Sequence, residues 1–228
     1  MRLGVREVAE RLGVSEDQIF EWVKRHDLPA TQVDGQFRFS PSAVYEWASA
    51  KGIPVPGNLF DDEPAGLEGL VLARALRAGG VMSGLKGSDK RSVLESVVAR
   101  LNLPPHADRE VILQMLLARE KMGSTGIGEG FAVPHVRNPI VLRVAEPLVT
   151  LFLLDRPIDF GAGDQHPVHS LFLSITPTTR SHLVILARLG GVLQDATVRA
   201  AIKERATPEK ILDAIERAEA NLIAGGRV

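Results

Sequence analysis

Two runs, Leu148–Leu154 and Val168–Ile175, constrain this chain more than any other feature: both have strand length and both are largely apolar. A strand with one wet face alternates apolar and polar residues. Runs without that alternation mark strands covered on both faces. The segments around them have helical spacing. Val93, Leu94, Val97, Val98 and Leu101 share one face of a helix predicted over 89–101. Val111, Ile112, Met115 and Leu116 point inward from another over 108–121. Further helices are predicted over 181–193 and from Asp195, and Thr207 with Pro208 reads as the cap and first position of the last one. Leu67–Leu76 fits a strand or a short helix, and Phe131–Pro134 a short strand. Helices alternating with doubly covered strands predict an α/β domain with helices on both sides of its sheet.

That domain does not use the whole chain. Residues 53–66 carry three prolines, two glycines and an acidic cluster, and every period stops there. The stretch reads as a linker, semi-rigid at Pro54–Pro56 and flexible beyond it. A chain of 228 residues is long enough for two domains, expected at 1–52 and 67–224. The net charge of -1 gives no global reason for nucleic-acid or membrane binding. The lack of cysteine excludes disulfide frameworks, thiolate chemistry and cysteine-based zinc sites, and fits a reducing cytoplasm. The first residues hold no apolar signal core, and no run approaches the roughly 20 residues that span a bilayer, so no membrane insertion and a cytoplasmic location are expected.

The first fifty residues have their own pattern. Val5, Val8, Ala9 and Leu12 recur at helical spacing until Gly13. Ser15 then caps a second helix with Ile19, Trp22 and Val23 inward, and Gln18 stands where it would complete a capping box. Asp34-Gly35 between alternating apolar residues predicts a hairpin, because both tolerate positive φ. Ser40-Pro41 opens a helix with Val44 and Trp47 inward. These residues, with Leu28-Pro29 and Phe37-Arg38-Phe39, resemble the small winged helix-turn-helix domains of the MerR and excisionase group. The resemblance covers nearly all of 1–52. It implies DNA binding, with the helix over 15–26 in the major groove, the wing on the backbone, and Gln18, Lys24, Arg25 and Arg38 as contacts. Residues 1–51 hold seven basic against eight acidic side chains. Since cations that neutralise phosphates supply much of DNA affinity, a protein-interaction module in the same fold stands beside that reading.

The chemistry concentrates in Arg119–Arg137, where a strongly apolar helix runs into a loop with three glycines in five residues and then into Phe131-Ala-Val-Pro-His135. Taken alone, His135 reads as a structural strand-end histidine, Arg119 as a solvated helix-end charge and His182 as an ordinary helix N-terminal residue. His166 and His169 have a metal-like spacing without a third ligand. The wider pattern carries more. Arg119-Glu-Lys, Ser124-Thr-Gly-Ile-Gly-Glu-Gly-Phe-Ala-Val-Pro-His135, Pro157-Ile-Asp-Phe-Gly-Ala162, the 168–177 strand, His182-Leu with Leu186-Ala, and Thr207-Pro-Glu follow in order. The segment from about 67 to 222 resembles the enzyme IIA domains of the phosphotransferase system, of the fructose, mannitol and nitrogen-regulatory type.

That resemblance implies a mixed sheet flanked by helices, His135 as the phosphorylated residue, and Arg119 and His182 completing the site. It implies no metal or cofactor, because the donor is itself a histidine-phosphorylated carrier protein of the HPr kind. Glu129 falls in the active-site loop, either as a site residue or as a solvated carboxylate. Glycines 126, 128 and 130 would let backbone amides approach phosphate oxygens. Val136 stands where these domains usually have a small residue, which would narrow the approach to His135. The function expected is a regulatory phosphotransferase component that couples the state of His135 to DNA or to regulatory protein targets. The alternatives are a component that passes phosphate to a sugar permease, and a DNA-binding regulator whose second domain transfers nothing.

Overall fold

The computed structural model describes residues 3–25, 27–33, 35–40, 43–44, 47–48, 51, 53, 69–103, 107–136 and 146–225. Its chain divides into two compact units at 66/67. Most of the proposed linker, with Asp34 and Pro41, lies outside the described residues.

The first unit opens with α1 (Val5–Leu12), stopped by Gly13 in the left-handed conformation, and α2 (Glu16–Lys24), capped by Ser15, whose side chain accepts the Gln18 N–H. Half of the expected capping box at Ser15 is therefore in place. The other half of such a box forms at α1, where the Glu7 carboxylate takes the Gly4 N–H at 2.7 Å. β1 (Thr31–Val33) and β2 (Gln36–Arg38) make the antiparallel wing. Gly35 takes the positive φ its turn requires. Val8, Leu12, Ile19, Leu28, Phe39 and Val44 form the core, with the Trp22 and Trp47 rings 4.7 Å apart at its edge.

The second unit contains α3 (Val71–Gly79), β3 (Val81–Leu85), α4 (Lys90–Arg100), α5 (Arg109–Lys121), β4 (Gly126–Gly128), β5 (Phe131–Ala132), β6 (Leu148–Ile158), β7 (Val168–Ile175), α6 (Thr179–Val192), α7 (Ala196–Lys203) and α8 (Pro208–Ala224). The five strands pair in the order β3-β6-β7-β5-β4. β6 and β7 are antiparallel, while β3–β6 and β5–β7 are parallel, so the sheet is mixed as expected. Its two central strands are the two apolar runs, covered on both faces. One face packs against α3, α6, α7 and α8 through Leu72, Leu76, Ile185, Leu189 and Ile211. The other packs against α4 and α5 through Leu94, Val97, Ile112 and Leu116. Among the described residues no helix is long and apolar enough to cross a membrane.

One detail settles an alternative and three differ from the sequence reading. Of the stretch 67–76, the part from Val71 is a helix, α3, and Leu67 and Glu68 lie outside the described residues. The glycine loop contains an edge strand, β4, because Gly126 and Gly128 pair with Ala132 and Phe131. Val111 faces solvent, and Ile112, Leu113 and Leu116 carry the buried face of α5. Val136 lies in the core with Ala132 and Leu171, so its side chain does not narrow the approach to His135.

One buried charge organises the α3 side. Leu70, at the start of α3, offers no capping side chain. Glu219 of α8, fully buried, supplies it from across the domain and accepts the Leu72 and Ala73 N–H groups at 2.9 and 2.8 Å. Arg188 of α6, also buried, places its Nε 4.0 Å from the same carboxylate.

Candidate functional site

His135 sits just beyond β5, bridged in parallel to Ser174 of β7. Pro134 stands before it, and the chain alternates so that Phe131 and Val133 join the core shared with α6, while Ala132 and Val136 enter the opposite one. His135 therefore faces α6. The His182 ring, on the first turns of that helix, lies with its centroid 4.8 Å from the His135 ring at an interplanar angle of 49°. Thr178 and Ser181 form a reciprocal capping box that fixes the start of α6 and hence the position of His182. Both imidazoles are buried.

The His135 ring is held at both nitrogens. Nδ1 lies 2.8 Å from the Val133 carbonyl, and Arg119 Nε donates to Nε2 at 3.2 Å. A carbonyl can only accept and a guanidinium can only donate. The network thus puts the proton on Nδ1 and the lone pair on Nε2, toward Arg119. Arg119 also donates through Nη1 to the Gly123 carbonyl at 2.9 Å, one of the acceptors left open past the end of α5. The end of α5 is itself locked. Glu120 is buried and accepts from the Thr125 N–H and hydroxyl, while Lys90 Nζ lies 3.0 Å from its carboxylate. Beside His135, the hydroxyls of Ser174 and Thr176 are buried and make no hydrogen bond among the described residues. Sequence reasoning missed both; a Ser-x-Thr pair ending an apolar strand was the available signal.

The structure brings Arg119, His135 and His182 together, but not the rest of the predicted set. The pairs Phe131–Ser170 and His135–Ser174 span four residues of parallel register, about 13 Å at strand rise. Glu129 and the turn glycines lie at the far end of that span. Gly130 is needed there because a Cβ would meet the His169 ring at 2.4 Å, and at Gly128 it would meet the Asp164 carboxylate at 2.9 Å. These close approaches to side chains account for glycine without a bound phosphate. Glu129 adopts φ 50°, forms a turn with Gly130, and pairs with Arg199 at 3.1 Å.

Two predictions arise at this turn. A left-handed L-residue costs roughly 1 kcal/mol or more, which asparagine tolerates better, and the exposed Glu129–Arg199 pair returns at most about as much. Glu129→Asn is therefore expected to leave stability unchanged or raise it by about 0.5 kcal/mol in urea unfolding. Second, Asp164 accepts the Glu129 N–H at 2.6 Å and contacts from His166, and its pKa falls from 3.8 to about 2, the Glu129 hydrogen bond being the largest cause. A carboxyl depressed by folding stabilises the fold above its unfolded value and loses that contribution as pH falls through its folded value. The stability difference between wild type and Asp164→Asn is expected to be full above about pH 4 and to vanish toward pH 2, read by acid unfolding.

On the first unit, Gln18 and Lys24 lie on α2, Arg25 is its C-cap, and Arg38 is on the wing. Lys24 is exposed. Arg25 lies 3.7 Å from Glu21, and Arg38 donates to Gln36 at 2.6 Å. The same helix exposes Glu16, Asp17 and Glu21.

Comparison with known proteins agrees with both units. Residues 2–52 match the helix-turn-helix domain family. A nitrogen regulatory protein of Pseudomonas aeruginosa is 36% identical over 145 residues, which cover 61% of this chain and 91% of that protein. The nitrogen regulatory protein of Escherichia coli K12 is 35% identical over 130 residues, covering 56% and 76%. The crystal structure of nitrogen regulatory protein IIA-Ntr from Neisseria meningitidis superposes with a TM-score of 0.52 at 26% identity, over 59% of this chain and 91% of that one. The family described as phosphoenolpyruvate-dependent sugar phosphotransferase system, EIIA 2, matches residues 75–218, well over half of the chain, and the chain belongs to that family.

Proposed function

We propose that His135 accepts a phosphoryl group on Nε2 from a histidine-phosphorylated carrier protein, and that its phosphorylation state governs what the helix-turn-helix unit binds. The observation that carries this reading is the His135 ring itself, with its Nδ1 proton against the Val133 carbonyl, its Nε2 lone pair toward Arg119 and the His182 ring alongside. The lone pair attacks phosphorus in line. The donor's nitrogen–phosphorus bond breaks as the new one forms, and the donor leaves as a neutral imidazole. The Nδ1 proton stays in place, so the phosphorylated ring carries a cationic charge that the Val133 carbonyl stabilises.

Phosphoryl transfer asks chiefly for positioning and for neutralisation of charge on the equatorial oxygens. As phosphorus approaches, Arg119 exchanges the Nε2 lone pair for those oxygens, to which its planar fork is suited. His182 and the Ser174 and Thr176 hydroxyls supply further donors from a water-poor wall. The relatives named as nitrogen regulatory proteins support a regulatory role over direct sugar uptake, as does fusion to a helix-turn-helix unit. The test is incubation of the intact chain with phosphorylated carrier protein, followed by intact mass and DNA binding. Gain of one phosphoryl group, lost in His135→Ala, with a changed DNA affinity supports the reading. No gain on wild type refutes acceptance. A gain without any change in DNA or partner binding refutes the coupling.

A further inference from the structure

The end of the sheet away from His135 holds a second feature that phosphoryl transfer does not use. A cavity of about 440 Å³ opens between the β4–β5 turn, the entry to β7 and α7. Its volume is that of a small-molecule site. Phe131 and Pro167 give it apolar walls, and Arg199 and Lys203 of α7 give it positive charge. Arg199 is already matched by Glu129 at 3.1 Å. Lys203 makes no ion pair among the described residues. The Asp164 carboxylate nearby is taken by the Glu129 N–H and by His166. Among the residues that line the cavity, two cations, Arg199 and Lys203, face one carboxylate, Glu129.

His169, on the cavity wall with its ring edge-on to Phe131, registers that excess. Its pKa is held below the ordinary value first by burial and then by the charges of Lys203 and Arg205, against a hydrogen bond to the Glu129 backbone. The cations Arg199 and Lys203 around it favour an anion over a metal. Among the described residues no three metal-binding side chains converge.

The geometry points to a binding site for a small organic phosphate, its phosphate between Arg199 and Lys203 and its apolar body against Phe131 and Pro167. A carboxylate ligand would only exchange one monoanion for another at Arg199. A phosphate dianion displaces Glu129 from Arg199 and brings the second charge that Lys203 lacks. Glu129 is then the placeholder of the empty site, which gives its costly left-handed backbone a function.

The probe is phenyl phosphate, with inorganic phosphate and benzoate as the arms that separate an organic phosphate from a simple ion and from a carboxylate. Binding to the full chain is followed at the His169 ring protons by NMR. Phenyl phosphate should give a saturable shift, at least tenfold tighter than either of the other two. Lys203→Ala and, as a milder replacement, Lys203→Gln should each weaken it at least tenfold at unchanged melting temperature. Glu129→Gln should tighten it severalfold. No saturable shift with phenyl phosphate, equal affinity for benzoate, or a shift indifferent to both Lys203 variants would overturn the assignment.

Discussion

Arg119→Ala is expected to slow phosphoryl acceptance by roughly 10²–10³-fold, the loss that follows removal of one charged donor aimed at a developing anion. His135→Ala is expected to abolish acceptance altogether, because it removes the nucleophilic nitrogen. The Arg119 loss is chemical, not structural. Its hydrogen bond to the Gly123 carbonyl is at the partly exposed end of α5, which Glu120, Thr125 and Lys90 hold independently. Arg119→Lys restores a charge but not a fork that can serve both His135 and the oxygens, and recovers only part of the rate. His182→Ala is expected to cost less, about tenfold, as one donor among several. Single-turnover mixing with phosphorylated carrier separates these cases. Equal rates for wild type and Arg119→Ala would remove Arg119 from the site.

Glu219→Ala is expected to destabilise the second unit by about 3–5 kcal/mol, because it strands a buried Arg188 and uncovers two amides of α3. The companion Arg188→Met in that background should recover part of the loss by removing the uncompensated charge. The chain offers a clean readout. Its two tryptophans, Trp22 and Trp47, both belong to the first unit, so their fluorescence follows that unit alone. Glu219→Ala should shift the far-ultraviolet helix signal to lower urea while the tryptophan transition holds. A helix signal that does not move would mean that the Glu219 cap is dispensable.

What the sequence made legible was local. Asp89, Asp108, Asp195 and Thr207 open the predicted helices and all sit at N-caps, because a short side chain that accepts from an amide two or three residues on needs nothing from the rest of the fold. The two apolar runs became β6 and β7 for an equally direct reason, since only double coverage tolerates them. Arg119, His135 and His182 were singled out by matching an order of motifs, not by spacing, as the two histidines lie 47 positions apart. The failures share one cause, the need for register. Nothing in Gly126–Gly130 tells that β5 points its far end at His135 and its near end at His169. Val136 looks like a gate until strand alternation turns it into the core. Glu219 looks like a surface helix residue until Leu72, 147 positions earlier, is brought to it.

The central claim concerns one nitrogen of one side chain, and nitrogen-15 NMR of uniformly labelled, carrier-phosphorylated protein tests it most directly. The expected result is a phosphorus coupling to Nε2 of His135, with Nδ1 still protonated against the Val133 carbonyl. Phosphorus on Nδ1, or on the ring of His182, would contradict it.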